Sequence, residues 1–160
     1  MEGYEIERKF LLDSIPFELS GFPKFEITQA YVSVRPVIRA RRSDDDFILT
    51  VKGGGDGIAS RELEMPLSSE EYESLLRKAE GFPIDKTRYN IPLGGGLTAE
   101  LDVYHGRLNG LLTVEVEFDS AEQARAFAPP AWFGADVSLE PRYKNSSLSR
   151  LASLSELQDS

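Results

Sequence analysis

Charged residues recur in this chain at a spacing of two. Glu5, Glu7 and Lys9 stand at alternate positions, and so do Arg39 with Arg41, Glu62 with Glu64, Lys86 with Arg88, Glu100 with Asp102, and Glu115 with Glu117. Lys52 stands two beyond Thr50. Clustered carboxylates hold hard cations such as Mg²⁺ or Mn²⁺ through oxygen. Arginine forks match phosphate oxygens in bidentate fashion, and lysine acts as a point charge. A divalent ion between carboxylates and phosphates satisfies both sets, polarises a phosphoryl group and activates water. The chemistry within reach of these residue types is therefore the binding and hydrolysis of a polyphosphate.

Side chains alternate faces along a strand, so residues two apart share a face. The elements that must position these pairs are strands. Hydrophobic alternation and turn residues predict them over 4–12, 24–35, 37–42, 46–52, 58–66, 86–92, 97–105 and 111–118. Turns fall at Ser43, Asp44 and Asp45, at Gly53 to Gly57, and at Gly94 to Gly96. About eight strands suffice to close a barrel. Helices are expected over 68–80, where Ser68 and Glu71 have capping-box spacing, over 120–128, and over about 145–158, where Leu148, Leu151, Leu154 and Leu157 form a stripe. No linker or repeat divides the chain, which reads as one domain over 1–160.

Each strand has a charged face and an apolar face. Opposite Glu5, Glu7 and Lys9 lie Ile6 and Phe10, and opposite Glu115 and Glu117 lie Val114, Val116 and Phe118. A sheet with solvated charges outside explains any single strand. It explains the set less well, because like charges at neighbouring positions repel. An inverted barrel, with its charges in the lumen and its apolar faces under helices, accounts for all of them. Such a lumen gathers Lys9, Arg39, Arg41, Lys52, Lys86 and Arg88, cations that repel unless a polyanion sits among them.

Composition narrows the field. The net charge is −9, which disfavours nucleic acid as a partner. No apolar run is long enough to cross a bilayer, and residues 1–10 lack the apolar core of a signal peptide. With no cysteine, disulfides and thiolate metal sites are excluded, and the cytoplasm is the expected compartment.

Glu5-Ile6-Glu7-Arg8-Lys9 resembles the ExExK signature of the CYTH superfamily, the triphosphate tunnel metalloenzymes. The later charged pairs follow the family's order, and Arg142-Tyr143-Lys144-Asn145 resembles its C-terminal element. The resemblance runs from about Glu5 to about Asn145. It implies a closed eight-stranded antiparallel barrel, with a divalent metal and a triphosphate in the tunnel. Family members hydrolyse tripolyphosphate, thiamine triphosphate or RNA 5′-triphosphate ends, or cyclise ATP. The resemblance implies that Glu7, Glu115 and Glu117 hold a first Mg²⁺ or Mn²⁺ and that Glu5 serves a second metal or the attacking water. Glu5, Glu7 and Lys9 are then catalytic, and Lys9, Arg39, Arg41, Lys52, Lys86 and Arg88 clamp the substrate. Glu62 and Glu64 are metal ligands or support them, Glu100 and Asp102 face the lumen in support or balance its positive charge, and Tyr31 and Lys144 link the wall to the C-terminal helix. A homodimer is a further expectation from the resemblance.

The EIERKF start is similar to small bacterial inorganic tripolyphosphatases. A class IV-type adenylate cyclase or a thiamine triphosphatase is the alternative, though the cyclases' His-Phe pair upstream of ExExK has no counterpart in residues 1–4. A polyphosphate- or nucleotide-binding domain without turnover would use the same cations, and leaves the paired glutamates unexplained. His105, Asp44 to Asp46, Gly53 to Gly55, Trp132 and Phe133 are read as turn or packing residues.

Overall fold

The computed structural model describes residues 2–54 and 58–158. Eight strands form a closed antiparallel barrel: β1 (Glu2–Leu11), β2 (Lys24–Val34), β3 (Val37–Ser43), β4 (Asp46–Gly53), β5 (Ala59–Pro66), β6 (Glu80–Gly94), β7 (Leu97–Tyr104) and β8 (Leu112–Glu117). Their order around the barrel is β1-β5-β4-β3-β2-β6-β7-β8, closing back on β1. The short hairpins predicted at Asp44–Asp45 and Gly95–Gly96 are present, and Asp44 and both glycines take positive φ. Gly55 to Gly57 of the third predicted turn lie outside the described residues.

Closure is made by one strand serving two neighbours. Glu2 to Ile6 of β1 pair with β5, and Glu7 to Leu11 pair with β8. Beyond the point where β5 ends, residues 134–137 run beside β1. The Leu11 N–H donates to Ala135 O at 2.8 Å and the Val137 N–H to Lys9 O at 2.8 Å. Arg8, on the outer face, fastens this strip. Its guanidinium donates to the carbonyls of Ala124 and Phe127, each at 3.0 Å, and to Asp136 at 2.9 Å.

The apolar strand faces point outward and are covered there. Phe10, Leu101, Val114, Val116 and Phe118 form one core with Ala124 of α2 (Ala121–Ala126) and with Phe133. Trp132 and Phe133 pack edge to face at 4.5 Å, as packing residues. On the other side lies α1 (Ser69–Arg77), opened by the capping box of Ser68 and Glu71.

Two elements differ from the sequence expectation. β6 begins at Glu80, six residues before the predicted 86–92 strand, and α1 ends correspondingly early. Gly81 and Pro83 signal a loop, but a bulge opposite Gln29 and Tyr31 lets this stretch pair with β2. The helix expected over 145–158 is two short helices, α3 (Asn145–Leu148) and α4 (Leu154–Gln158). Serine side chains compete for the backbone here: Ser149 Oγ donates to Ser146 O at 2.7 Å. The carbonyl of Ser149 accepts from the Phe82 N–H of β6 at 2.7 Å, instead of continuing a helix. The break lets Leu148 and Leu157 both reach a second core with Tyr31, Ile84, Tyr104 and Leu108 at one end of the barrel.

Gly81 is where β6 meets this C-terminal segment. Its φ is +71°, and a Cβ there would lie 2.6 Å from Ser149 O. Gly81→Ala is expected to destabilise the protein by about 2 kcal/mol, from left-handed strain and the lost close approach. Urea unfolding checks this, and an unchanged midpoint would show that the segment docks by other means.

Candidate functional site

The barrel register decides which side chains share the lumen. Glu7 lies opposite Glu117 and Lys9 opposite Glu115 across β1 and β8. Glu115 faces Glu100 across β7, and Asp102 faces Arg88 across β6. Lys52 faces Glu62 across β4 and β5. The lumen holds a cavity of about 860 Å³. It is lined by every site residue expected from the sequence except Lys86 and Asp102. The charged faces thus point inward.

One wall is carboxylate. Oxygens of Glu5, Glu7 and Glu117 lie within 4.8 Å of one another. Burial, reinforced by the charges of Glu115 and Glu5, holds the Glu7 carboxyl well above the ordinary range. Burial and the neighbouring Glu100 and Glu5 push Glu117 up to about 7. Glu62 is likewise raised to about 7, by burial and then by Glu5. Carboxylates crowded this way favour a bound proton or a bound cation. Their all-oxygen donor set suits a hard divalent ion, so the residues present fit Mg²⁺ or Mn²⁺.

Glu115, expected from the resemblance to hold a metal with Glu7 and Glu117, lines the cavity beside this trio and accepts a hydrogen bond from Glu7. Burial would raise its carboxyl, but Lys9, a hydrogen bond from Glu7 and Arg88 outweigh burial and hold it well below the usual range. Glu5 also accepts from Lys52 Nζ at 2.5 Å, and Lys52 lies 3.6 Å from Glu62. Burial opposes the charge on Lys52, yet Glu5 and Glu7 raise its pKa overall.

The facing wall is cationic. Arg39 and Arg41 form no ion pair with any described residue. They are held by neutral groups instead: Arg39 donates to Thr50 Oγ1 at 3.0 Å, and Arg41 Nε to Gln29 Oε1 at 2.9 Å. Arg39 Nε is buried without a hydrogen-bond partner among the described residues. Burial, then Arg39 and Arg88, lower the pKa of Arg41 to about 10. Two adjacent guanidinium groups without a counter-charge form an anion site. Lys9, on β1 beside the carboxylates, donates Nζ to Tyr143 O at 2.6 Å, which ties the C-terminal segment to the barrel. Lys144 and Glu64 also line the cavity from exposed positions, and Glu64 accepts from Thr50 Oγ1 at 3.3 Å. Tyr31 packs into the core that holds Leu148 and Leu157.

Lys86 and Asp102 lie behind the cationic wall. Neither side chain is exposed, and Lys86 Nζ is 2.9 Å from Asp102 Oδ2. Lys86, expected from the resemblance to clamp the substrate, does not reach the cavity. Asp102 also receives Arg88 in bidentate fashion, Nε to Oδ1 at 2.8 Å and Nη2 to Oδ2 at 3.0 Å. Sequence reasoning missed Gln29, Thr50 and Arg8 as supporting residues. Gln29 shares strand parity with Tyr31, and that alternation is the signal that could have found it.

Comparison with known proteins follows the same lines. No protein-family profile matches the chain. An inorganic triphosphatase of Nitrosomonas europaea is 39% identical over 148 residues, covering 90% of this chain and 95% of that protein. The chain belongs to the inorganic triphosphatase family of CYTH enzymes. A second inorganic triphosphatase, from Acetivibrio thermocellus, is 31% identical over 148 residues, covering 91% of this chain and 93% of that protein. A crystal structure of an inorganic triphosphatase superposes with a TM-score of 0.67 at 35% identity, covering 92% of this chain and 95% of the other. The barrel of this family member is therefore the one its sequence implies.

The buried Asp102 makes a pH prediction. Burial would raise its carboxyl, but Arg88 and Lys86 outweigh that and lower it to about 2, from an ordinary 3.8. A depressed carboxylate contributes stability that is present above pH 3.8 and lost as the pH falls through about 2. Asp102→Asn should remove this acid dependence. At pH 7 it should cost about 3–5 kcal/mol, because it leaves buried cations uncompensated. Unfolding curves of both proteins between acid and neutral pH check this, and equal stability would mean Asp102 is not the counter-ion of this wall.

Proposed function

We propose that this chain hydrolyses linear triphosphates, tripolyphosphate in particular, to pyrophosphate and phosphate. The observation that carries the reading is one cavity holding Arg39 and Arg41, which have no ion-pair partner among the described residues, opposite the Glu5, Glu7 and Glu117 cluster. The inorganic triphosphatases it resembles support the choice of substrate. Mg²⁺ or Mn²⁺ is the proposed cofactor, held by Glu5, Glu7 and Glu117, with Glu115 and Glu62 beside them. A divalent ion there supplies positive charge against the phosphoryl oxygens and a Lewis acid for water.

The chain's own residues perform the rest. Arg39, Arg41 and Arg88 grip phosphate oxygens through paired N–H groups, while Lys9 and Lys52 add point charges. These groups are set before substrate arrives, by Thr50, Gln29, Asp102 and the Tyr143 carbonyl. Charge that spreads over the transferring phosphoryl oxygens therefore meets fixed cations without reorganisation. A water oxygen bonds to the terminal phosphorus as the bridging P–O bond breaks, and pyrophosphate leaves. The carboxylates lining the cavity are the groups within reach to take the proton of the attacking water.

The assay is phosphate release from tripolyphosphate, ATP, thiamine triphosphate and pyrophosphate, each with Mg²⁺, Mn²⁺ or chelator. Release is expected to be fastest from tripolyphosphate and to stop in chelator. Glu117→Gln should keep the fold and lower kcat at least about a hundredfold, the scale of losing one electrostatic contact to the transition state. Cyclic AMP from ATP, with tripolyphosphate untouched, would move the chain to cyclase chemistry. Binding without turnover would make it a polyphosphate-binding domain.

A further inference from the structure

The C-terminal segment closes one end of the barrel and also turns polar groups into the lumen. Tyr143, Lys144, Asn145 and Ser146 all line the cavity. Tyr143 is engaged through its carbonyl, which takes the Lys9 ammonium at 2.6 Å. Asn145 is the first residue of the short helix α3. Its side chain is not spent on that helix. Oδ1 accepts instead from the Tyr104 hydroxyl of β7, at 2.7 Å.

Tyr104 decides which way the amide faces. It has no exposed surface. Burial, then the charges of Asp102 and Glu115, hold its phenol well above the ordinary range, so the hydroxyl keeps its proton. A buried hydroxyl proton needs an acceptor, and the Asn145 oxygen supplies one. With the oxygen taken, the amide nitrogen keeps two N–H donors and has no hydrogen-bond partner among the described residues. That nitrogen is not one of the buried polar atoms left without a partner, so its donors face the open space of the cavity.

A neutral donor suits this lumen. Arg39, Arg41, Lys52 and Arg88 already crowd it with positive charge, and a further cation would add to their repulsion. An amide offers N–H groups to phosphoryl oxygens and brings no charge of its own. Lys9 works beside it: one of its three N–H groups goes to Tyr143, which leaves two. Lys9 from β1 and Asn145 from the cap therefore both present donors to the lumen.

We propose that Asn145 is a substrate-binding residue, whose amide N–H groups, set by the Tyr104 hydroxyl, donate to phosphoryl oxygens at the capped end of the lumen. The proposal rests on the reading that the lumen holds the triphosphate. It makes the C-terminal segment part of the binding site as well as its cover.

The test compares Asn145→Ala, Asn145→Asp and a control, Arg39→Gln, with the wild-type protein. Tripolyphosphate affinity is read by titration calorimetry in chelator, KM and kcat by phosphate release with Mg²⁺, and the fold by melting temperature. Asn145→Ala should weaken binding and raise KM about tenfold, the scale of losing a hydrogen bond to a charged group, with a smaller change in kcat. Asn145→Asp keeps an oxygen for Tyr104 but turns a second oxygen on the substrate, so it should bind more weakly than Asn145→Ala. Wild-type affinity in Asn145→Ala would overturn the proposal. Asn145→Asp binding as well as Asn145→Ala, or better, would also overturn it, because the side chain would then serve only as the acceptor for Tyr104. If Asn145→Ala does not fold, the double variant Tyr104→Phe with Asn145→Ala removes the hydroxyl together with its acceptor and decides in its place. Binding about tenfold weaker than wild type supports the proposal there, and wild-type affinity overturns it. Arg39→Gln separates the two readings: if it binds like wild type, the site reading fails and this inference with it. If it binds weakly while the Asn145 variants bind like wild type, only this inference fails.

Discussion

A closed barrel forces the inward half of every strand into one small volume, and charges placed there interact at short range with little water to screen them. The rest of this structure follows from that constraint. Carboxylates gather on one side, where Glu5, Glu7 and Glu117 repel one another. Cations gather on the other, where Arg39 and Arg41 do the same. Lys52 pairs with Glu5, but Glu7 and Glu117 on one side and Arg39 and Arg41 on the other have no ion-pair partner among the described residues. The lumen is therefore most stable with a cation at one wall and a polyanion at the other, and a metal–triphosphate pair provides both.

The opposed walls stay apart because each is anchored to neutral or opposite groups behind it. Thr50 and Gln29 orient the two arginines without cancelling them. Asp102 fixes Arg88, and Lys52 separates Glu5 from Glu62. A simple collapse of each arginine onto a glutamate would lower the electrostatic energy of the empty barrel and destroy the site. The β-ladder prevents it, since register fixes which side chains stand opposite each other.

Outside, the barrel depends on ordinary packing. The apolar faces of β1, β7 and β8 are covered by α2 and the aromatic strip around Phe133. The C-terminal helices cap one end through Leu148 and Leu157. The cap is also coupled to the lumen, because Tyr143 takes the ammonium of Lys9 and Asn145 takes the Tyr104 hydroxyl at 2.7 Å. Fold and site therefore share residues at this end.

The alternation of charged and apolar residues along eight segments was legible in the sequence, because a strand's period of two depends only on local geometry. That alternation, with repeated like-charge pairs, was enough to place Glu5, Glu7, Arg39, Arg41, Glu115 and Glu117 in a lumen. Only the tertiary structure decided which of them meet. Glu115 meets Lys9 on one side and Glu100 on the other because barrel register sets it across from them, and register between distant strands is not written in any one of them. Lys86 has the same parity as Arg88 but sits one step deeper, beneath the cap, where it pairs with Asp102 instead of lining the cavity. The leucine stripe of 148–157 reads as one helix by spacing. It breaks because the Ser149 carbonyl finds a better partner in the Phe82 N–H than in a further helical turn.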